Sequence, residues 1–599
     1  MSSGVQTAST CNLHTWWQDG GVKDSRRTRI YENKVRQSQV YRVQVRSVPP
    51  AGITDAPWYD SFVYESIPRG GNGFFKTPVD SPNPQQFTKE ECSDGDGISE
   101  LEHNANLSMA WSQFEYDGDV EIKITPCNGF ELNQVTIRPT ALRLEAKALS
   151  DAVLIRVPRN PNGFKFSVEF SDDIIDYFSD GTQYVKQGHG HLVGREPRNA
   201  LLIFASPFLP AATTPPMSES NTTVMKPGPI YEGDWGSKAI LYFPPGVYWM
   251  NSTQDGQSPR LGQNHIRLHE NTYWVHLDPG AYVKGAIEYT TKNQHLYATG
   301  HGVLSGEHYV YTANPKEGYH GKKHDWESLR MWWHKLPVPG QTWRCAGPTI
   351  TAPPFNSMDM KDPHDKIHVS AIIQDYKQVG AWYYQTDGLQ LNSYSSMRDV
   401  FYHCNDDAIK AYHGQVDVNR VTVWKIHNDP VVQMGWDLRE VSHFSLRNLW
   451  VIHTRYFKHH DYVPAAIIGA SPFYINKDDP PEKRKKHDFK KQLAASITNV
   501  VCEGPCPGLL KISPLQSYDL QISNVEFQQE LNPVPEVAAS YVKGVDDFES
   551  GKMAIEINNW SINGEKVTMD KFRSNQLGKL NIDKQYWKQW KINEVEQPV

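Results

Sequence analysis

Residues 381–412, AWYYQTDGLQLNSYSSMRDVFYHCNDDAIKAY, contain two acidic segments on either side of a short strand-like run. The first segment is Thr386-Asp387-Gly388, and the second is Asn405-Asp406-Asp407. Asp387 and Asp406 are 19 residues apart (406 minus 387), close to the length of one coil of a parallel β-solenoid. Strands of neighbouring rungs lie about 4.8 Å apart, so we expect these carboxylates to face one groove at short range.

Carboxyl groups at this spacing suit the hydrolysis of a glycosidic bond. One group must hold a proton for the leaving oxygen, while an ionised one activates water or attacks the sugar. In a cluster of acids, each charge disfavours ionisation of the others, which allows both protonation states to coexist. Adjacent strand residues point to opposite faces, so Asp406 and Asp407 can share a groove only at a strand end or bulge. On spacing alone, two ordinary surface turns are an equal alternative.

A family resemblance rests on further segments of the chain. They are Gln385–Gly388, Asp399–His403 with Asn405–Lys410, His427–Pro430 and Gln433–Trp436, and, over the rest of the chain, His14–Trp17, Asp60–Pro68, Tyr242–Trp249 and Ile512–Gln516. In these segments the sequence resembles the fungal endo-dextranases of glycoside hydrolase family 49. The resemblance implies a β-sandwich followed by a right-handed parallel β-helix. It also implies inverting endo-hydrolysis of α-1,6-glucosidic linkages in dextran, with release of isomalto-oligosaccharides.

The resemblance also implies roles for the acids. Asp406 is expected to be the general acid, and Asp387 with Asp407 to position and deprotonate water. Two carboxylates flanking one water would make a base site opposite a single proton donor, which favours inversion. No metal and no cofactor is expected.

Further residues at or beyond the second acidic segment are candidates for binding glucose units by stacking and hydrogen bonds, although each could instead be structural. They are Lys410, Trp424, Lys425, Gln433 and Trp436.

Other functions stay open. Isopullulanase is a relative with the same scaffold and acids, but His427–Trp436 is more similar to dextranase. Pectin-cleaving β-helix hydrolases follow their acid pair with Gly-His-Gly, whereas Gly300-His301-Gly302 precedes the acids here. A non-catalytic β-helix that binds carbohydrate is the alternative outside the enzymes, and a reducing-end assay separates it from all three.

Local composition and the alternation of apolar and polar residues predict an all-β chain in three parts. Residues 1–206 show period-two alternation, as in Tyr41–Arg46 and Phe164–Phe170, which indicates an antiparallel β-sandwich. Residues 207–235 are rich in proline, serine and threonine and are predicted to be a linker. Residues 236–599 carry short apolar strands at solenoid spacing and no alternation of strands with helices.

A degenerate two-residue turn recurs beside the strands of this third part. It occurs at Arg398-Asp399, Asn419-Arg420, Arg447-Asn448, Thr498-Asn499 and Ser523-Asn524, each followed by an apolar residue. Such a repeat favours a parallel β-helix over a barrel or propeller. Between rungs, residues 307–365 include Trp326, Trp332, Trp333 and Trp343, which could wall a sugar cleft or fill the flank of the solenoid.

Bulk composition excludes several classes of function. A net charge of −7 over 599 residues, with a pI near 6.4, provides no basic field for nucleic acid. No run of about 18 apolar residues is present that could span a bilayer. We therefore expect a monomeric protein with a polysaccharide substrate, and neither a nucleic acid nor a membrane partner.

Several features bear on the compartment. Residues 1–14 lack the apolar core of a signal peptide, so either a leader has been removed or the protein is intracellular. Glycosylation sequons at Asn106, Asn221, Asn251 and Asn559 favour a secreted glycoprotein. Seven cysteines are too few for a disulfide framework, but Cys502 and Cys506 could close a small loop through a disulfide. We expect the protein to be extracellular.

Overall fold

The computed structural model describes most of the chain. The described residues are 6–7, 13–24, 31–48, 56–68, 107–180, 184–252, 260–321, 325–364, 366–426, 430–435, 437–455, 466–470, 488–512, 516–530, 537–539, 552–568 and 590–593. They form two compact units. The first comprises Met1–Ile175, Pro197–Thr386 and Asp399–Phe401, and the second comprises Asp176–Glu196, Asp387–Arg398 and Tyr402–Val599.

The N-terminal part of the chain is built from short strands. They are β1 (Gln6–Thr7), β2 (Leu13–Thr15), β3 (Gly21–Val22), β4 (Val35–Arg36), β5 (Tyr41–Ser47), β6 (Tyr59–Ser61), β7 (Val63–Ser66), β8 (Ser108–Tyr116), β9 (Val120–Pro126), β10 (Val135–Arg138), β11 (Ala146–Ala148), β12 (Val153–Val157), β13 (Phe164–Phe170), β14 (Ile174–Ser179), β15 (Tyr184–Val185), β16 (His191–Pro197) and β17 (Asn199–Ser206). Two sheets dominate, with strand orders β1-β2-β8-β17-β13-β10 and β11-β12-β9-β5-β6.

These two sheets share one apolar core, as the alternating sequence predicts. Val43, Ile122 and Ile155 of one sheet and Phe166 and Ile203 of the other belong to the same buried cluster. The predicted β-sandwich is therefore confirmed. One detail differs, because β17 pairs with β8 in parallel, whereas an antiparallel sandwich was expected. The chain visits the other sheet between β8 and β17, and it returns in the same direction.

The first unit continues as a parallel solenoid. Its strands are β18 (Thr222–Val224), β19 (Gly228–Ile230), β20 (Ile240–Phe243), β21 (Gly246–Ser252), β22 (Arg260–Leu261), β23 (Ile266–Arg267), β24 (Trp274–Leu277), β25 (Ala281–Lys284), β26 (Ile287–Glu288), β27 (His295–Thr299), β28 (Val303–Ser305), β29 (Ala313–Asn314), β30 (His320–Gly321), β31 (Trp332–Trp333), β32 (Thr342–Ala346), β33 (Thr349–Thr351), β34 (Met358–Asp359), β35 (Ser370–Gln374) and β36 (Lys377–Val379). Three columns of parallel pairs run through it: β18-β20-β24-β27-β32-β35, β19-β21-β25-β28-β33-β36 and β23-β26-β31-β34.

Part of the predicted linker belongs to this solenoid. Within residues 207–235, β18 pairs with β20 and β19 pairs with β21, both in parallel. These strands are the first rung. Prolines are tolerated there because a terminal rung has one unpaired edge, where a missing N–H breaks no ladder bond.

The second unit repeats the same architecture with longer strands. After β37 (Ser396–Cys404), they are β38 (Ile409–Lys410), β39 (Val416–Lys425), β40 (Val432–Gln433), β41 (Val441–His453), β42 (Ile468–Gly469), β43 (Gln492–Cys506), β44 (Leu510–Ile512), β45 (Ser517–Glu530), β46 (Val537–Ala539), β47 (Met553–Ile562), β48 (Glu565–Lys566) and β49 (Trp590–Asn593). Its parallel columns are β39-β41-β43-β45-β47-β49 and β38-β40-β42-β44-β46.

Helical structure is limited to single turns in the described residues. They are 3-10 helices at Thr140–Leu142, Ser171–Asp173, Ala211–Thr213 and Pro315–Glu317. Among the described residues, no helix has the length and apolar character needed to cross a membrane.

The recurring turn is a left-handed corner inside each long strand. Its second residue has positive φ in every case: 58° at Asp399, 57° at Arg420, 59° at Asn448, 59° at Asn499 and 54° at Asn524. Asparagine tolerates this conformation better than most residues because its amide bonds locally. The repeat seen in the sequence therefore marks where each coil turns.

In the second unit the asparagine side chains at this corner stack into a ladder. Asn448 donates to Asn419 at 2.8 Å, Asn499 to Asn448 at 2.9 Å, Asn524 to Asn499 at 2.9 Å, and Asn559 to Asn524 at 3.1 Å. Each amide links one rung to the next, so the ladder fixes the register of the coils.

Two sequence expectations have clear structural outcomes. Trp332, Trp333 and Trp343 are fully buried, so these three rings fill the interior and do not wall a cleft. Cys502 and Cys506 are buried and are not joined to each other, so the predicted disulfide is not formed. Both lie in β43, where Cys502 pairs with Phe527 and Cys506 with Glu530. Phe527 and Glu530 are three positions apart, about 10 Å along an extended strand, so the two cysteines opposite them lie beyond the roughly 7 Å Cα limit for a disulfide.

The asparagine ladder leads to a stability prediction. Replacing Asn499 with alanine removes two amide hydrogen bonds and places an unsuited residue at positive φ, which should destabilise the fold by about 1–2 kcal/mol. Asn499→Gly keeps the backbone freedom and should cost less. Thermal unfolding of both variants checks this, and a glycine variant as unstable as the alanine variant would show that the backbone conformation is not the cause.

Candidate active site

Three carboxylates meet in the second unit. Asp387, Asp406 and Asp407 each offer an oxygen that lies within 4.8 Å of the other two. All three side chains are buried, with exposed fractions of 8%, 6% and 2%. The structure therefore brings together the three acids that the sequence indicates.

A bend in the chain lets Asp406 and Asp407 share this cluster. β37 ends at Cys404 and β38 begins at Ile409, so both acids lie between strands. Strand alternation therefore does not force their side chains to opposite faces. The backbone N–H of Asp407 donates to Asp406 Oδ1 at 2.8 Å, which orients the first carboxylate over the bend.

Asp387 reaches the same place from the preceding coil. The backbone N–H of Gly388 donates to the carbonyl oxygen of Asp407 at 2.8 Å, so the two segments lie side by side. A Cβ atom on Gly388 would lie 2.0 Å from the carbonyl oxygen of Ala408. Only glycine permits this approach. The N–H of Leu389 donates to the hydroxyl of Tyr402 at 3.2 Å and anchors the chain beyond Asp387.

A buried lysine supplies the positive charge in the cluster. Lys410, in β38, forms an ion pair with Asp387 through its Nζ and the carboxylate Oδ2. Burial lowers the pKa of Lys410, but the carboxylates of Asp387, Asp407 and Asp406 raise it by more than burial lowers it. Its pKa therefore lies above the ordinary lysine value. Lys410 is therefore charged at neutral pH and brings a positive charge into the cluster of acids.

Asp407 is held by hydrogen bonds to neutral donors. Gln433 Nε2 donates to Oδ1 at 3.2 Å, and the Tyr412 hydroxyl donates to Oδ2 at 3.3 Å. Lys410 and Gln433 are cross-strand partners in β38 and β40, so both project toward the acids. The structure thus places two of the five predicted substrate-binding residues in contact with the acids.

The other three predicted binding residues are placed differently. Trp424 is 2% exposed, and its indole N–H donates to Glu196 at 2.8 Å. Lys425 is fully buried in β39. Trp436 lies outside the described residues. Substrate binding by Trp424 and Lys425 stays a prediction, and closeness in sequence to the acids does not reveal how either side chain is placed.

Tyr412 was not among the predicted site residues, although it lies in residues 381–412 beside the acids. Residues two apart on an extended chain face the same side, so Tyr412 follows Lys410 toward the acids. That period-two relationship was available in the sequence.

Cys404 is a small buried residue, as predicted. Burial first, and then the nearby acids, raise the pKa of its thiol to about 12. A thiol this hard to ionise is not a nucleophile.

The same three carboxylates are the one group of potential metal ligands found among the described residues. Lys410 forms an ion pair with Asp387, so its ammonium group already supplies the positive charge that a metal ion would bring. This favours a role for the acids other than metal binding. Asp387 contacts the Lys410 ammonium group, and Asp407 accepts hydrogen bonds from the neutral donors Gln433 and Tyr412. Buried carboxylates held in this way suit proton transfer and water activation.

Comparison with known families supports this chemistry. Residues 3–208 match the glycosyl hydrolase family 49 N-terminal Ig-like domain, and residues 484–593 match glycosyl hydrolase family 49 itself. Residues 354–388 match a beta solenoid repeat from dextranase. The matches flank and include the stretch that carries Asp387.

Individual relatives extend over nearly the whole chain. A dextranase of Talaromyces minioluteus is 49% identical over 98% of this chain and 95% of its own length. An isopullulanase of Aspergillus niger is 34% identical over 95% of this chain and 92% of its own. The solved structure of Dex49A from Penicillium minioluteum matches with a TM-score of 0.88 and 48% identity, over 99% of this chain and 100% of that one.

The buried ion pair leads to a prediction that needs no substrate. Replacing Lys410 with glutamine leaves ionised carboxylates without their counter-charge, which should cost about 3–5 kcal/mol of stability at neutral pH. The loss should shrink as pH falls and the acids become protonated. Because the pKa of Lys410 is raised, its own titration removes the stabilisation only as pH rises through that raised value.

Thermal unfolding of the wild-type protein, Lys410→Gln and Lys410→Arg between about pH 3 and 8 tests this prediction. Lys410→Arg keeps the charge and should lose less stability than Lys410→Gln at neutral pH. A Lys410→Gln deficit that does not depend on pH would show that packing, and not charge, is what the lysine contributes.

Proposed function

Because the chain belongs to glycoside hydrolase family 49, we propose that it hydrolyses α-1,6-glucosidic linkages inside dextran and releases isomalto-oligosaccharides. The observation that carries the proposal is the cluster of three buried acids around Lys410. The 49% identity to a dextranase over 98% of the chain supports dextran as the substrate. Family membership makes the protein a glycosidase, and the proposal concerns which linkage it cleaves.

Each acid has a proposed role. Asp406 protonates the leaving glycosidic oxygen, while Asp387 and Asp407 position a water and take its proton. Lys410 pairs with Asp387, and the donors Gln433 and Tyr412 hold the two oxygens of Asp407. Carboxylates held by donors on several sides suit the role of base, so these contacts support assigning that role to Asp387 and Asp407.

Inversion is proposed on the chemistry of these contacts. The separation within 4.8 Å is shorter than the roughly 6.5–9.5 Å usual for an inverting pair and nearer the roughly 5–5.5 Å of a retaining one. Two carboxylates that share one water opposite a single proton donor nevertheless make a good base site, which favours inversion. One water can lie about 2.7 Å from two oxygens that are 4.8 Å apart, so Asp387 and Asp407 can hold it jointly.

A second candidate function comes from the isopullulanase relative, which is 34% identical. The lower identity ranks cleavage of pullulan behind cleavage of dextran. We further propose that the protein acts as a monomer outside the cell. Three predicted glycosylation sequons fall on described residues, but Asn251 is buried and Asn559 belongs to the asparagine ladder. This leaves Asn221 as the better candidate among the three.

Endo-cleavage predicts a characteristic time course on dextran. A chain cut at internal positions loses viscosity well before much reducing sugar appears, and pullulan should be cleaved far more slowly. Asp406→Asn is the control, and it should lose about 10²–10⁴-fold in turnover while still folding. Release of glucose alone from chain ends would contradict the endo mode, and faster cleavage of pullulan would favour the second candidate.

Inversion predicts the anomer that forms first. Hydrolysis of an α-1,6 linkage should yield a β-configured reducing end before mutarotation mixes the anomers. Proton NMR of fresh product shows which anomeric signal rises first. An initial α signal would mean retention, and it would assign Asp387 or Asp407 to direct attack on the sugar and not to water activation.

A further inference from the structure

Asp407 is bound at both carboxylate oxygens by donors from different rungs. Gln433 in β40 reaches Oδ1, and Tyr412, two residues beyond the end of β38, reaches Oδ2. The hydroxyl bond of 3.3 Å is longer than the usual length of about 2.7–2.8 Å. Catalytic hydrogen bonds are often long in free enzymes and shorten when substrate binds.

The two donors are connected to each other through a third side chain. Gly435 donates its backbone N–H to Gln433 Oε1 at 3.0 Å. A Cβ on Gly435 would lie 3.1 Å from Cδ and Nε of Arg439, so the arginine packs directly on this glycine. The guanidinium carbon of Arg439 then lies 3.9 Å from the centroid of the Tyr412 ring. The contacts form a closed ring from Asp407 through Gln433, Gly435, Arg439 and Tyr412.

Arg439 changes the properties of the tyrosine that it covers. Burial, followed by the charge of Asp407, raises the pKa of Tyr412, while Arg439 lowers it in part. Tyr412 is therefore a neutral O–H donor in the pH range in which carboxylates titrate. A cation over the ring makes that O–H a stronger donor, and cation–π attraction holds the ring in place.

We propose that Tyr412 and Arg439 are positioning residues for hydrolysis, in which Tyr412 orients the Asp407 carboxylate toward the attacking water and Arg439 holds and strengthens Tyr412. The inference rests on the proposed role of Asp407 as a water-activating base. Neither side chain has to touch the glucan. Their effect should appear in turnover and in its pH dependence, and not in substrate affinity.

The charged and titratable groups around Asp407 determine how pH data are read. They are Asp387, Asp406, Lys410, Cys404, Tyr412 and Arg439. The pKa values of Lys410, Cys404 and Tyr412 are all raised, and arginine stays charged throughout. Within this set, an acidic limb in the pH profile reports the three aspartates.

The test compares Tyr412→Phe, Arg439→Met and the double variant with the wild-type protein on dextran. Tyr412→Phe keeps the ring but removes the hydrogen bond, so kcat should fall about 10-fold with KM unchanged, and the acidic limb should move up by about one pH unit. Arg439→Met should give a smaller shift in the same direction. Tyr394→Phe is the matched control, because Tyr394 is 79% exposed, and this variant should behave as wild type.

The double variant separates positioning from general loss of structure. Arg439 is proposed to act through the Tyr412 hydroxyl, so in the Tyr412→Phe background Arg439→Met should cause little further change. Wild-type kcat and pH profile in Tyr412→Phe would overturn the proposal, and so would fully additive effects of the two substitutions. A rise in KM alone would show that Tyr412 binds substrate instead.

A second measurement keeps this inference distinct from the proposed function. If the wild-type protein cleaves neither dextran nor pullulan, the proposed function fails, but the hydrogen bond can still be read in thermal unfolding. Tyr412→Phe should lower the unfolding midpoint more at pH 7 than at about pH 3, because the lost bond is strong only when the carboxylate is ionised. An equal loss at both pH values would overturn the role of Tyr412.

Discussion

The backbone hydrogen bond from Gly388 to Asp407 is the constraint on which the site depends. It joins one coil to the next at the point where the acids occur, so the carboxylates are fixed by main-chain pairing and not by flexible side chains. The absence of a Cβ on Gly388 is what allows the coils to approach, because an added Cβ would lie 2.0 Å from the Ala408 carbonyl oxygen. A parallel solenoid is well suited to this arrangement, since every coil returns the chain to the same face.

The sequence predicted the scaffold in more detail than it predicted the site. The interval between Asp387 and Asp406 indicated the coil, and the repeated turn ending at Asn448, Asn499 and Asn524 indicated its corner, because both are periodic along the chain. The same reasoning did not separate Lys410, which contacts Asp387, from Trp424, which contacts Glu196. Which way a side chain points depends on the bends between rungs, and single-sequence periodicity does not register those bends.

Long-range ion pairs were likewise out of reach of the sequence. In the first unit, His301 lies between Glu115 and Asp375, at 3.0 and 3.2 Å, and Lys165 lies 2.5 Å from Asp375. Glu115 and Lys165 belong to strands of the sandwich, whereas His301 and Asp375 belong to the solenoid. Burial lowers the pKa of His301, but hydrogen bonds to Asp375 and Glu115 outweigh burial, so its pKa lies above the ordinary histidine value. Local sequence patterns predicted the sandwich and the solenoid, but not the charged side chains that link them within the first unit.

The electrostatics of the acid cluster favour the proton distribution that hydrolysis requires. With Lys410 charged, three ionised carboxylates would leave the buried cluster with two unbalanced negative charges, and one protonated acid reduces that excess to a single charge. Like charges in a site of low dielectric repel strongly, so the singly protonated state is preferred. Lys410 pairs with Asp387, whereas Gln433 and Tyr412 donate to Asp407, so the three acids do not have equivalent surroundings. The burial that makes three ionised acids costly therefore favours keeping one proton within the cluster, and hydrolysis by paired acids needs one protonated group.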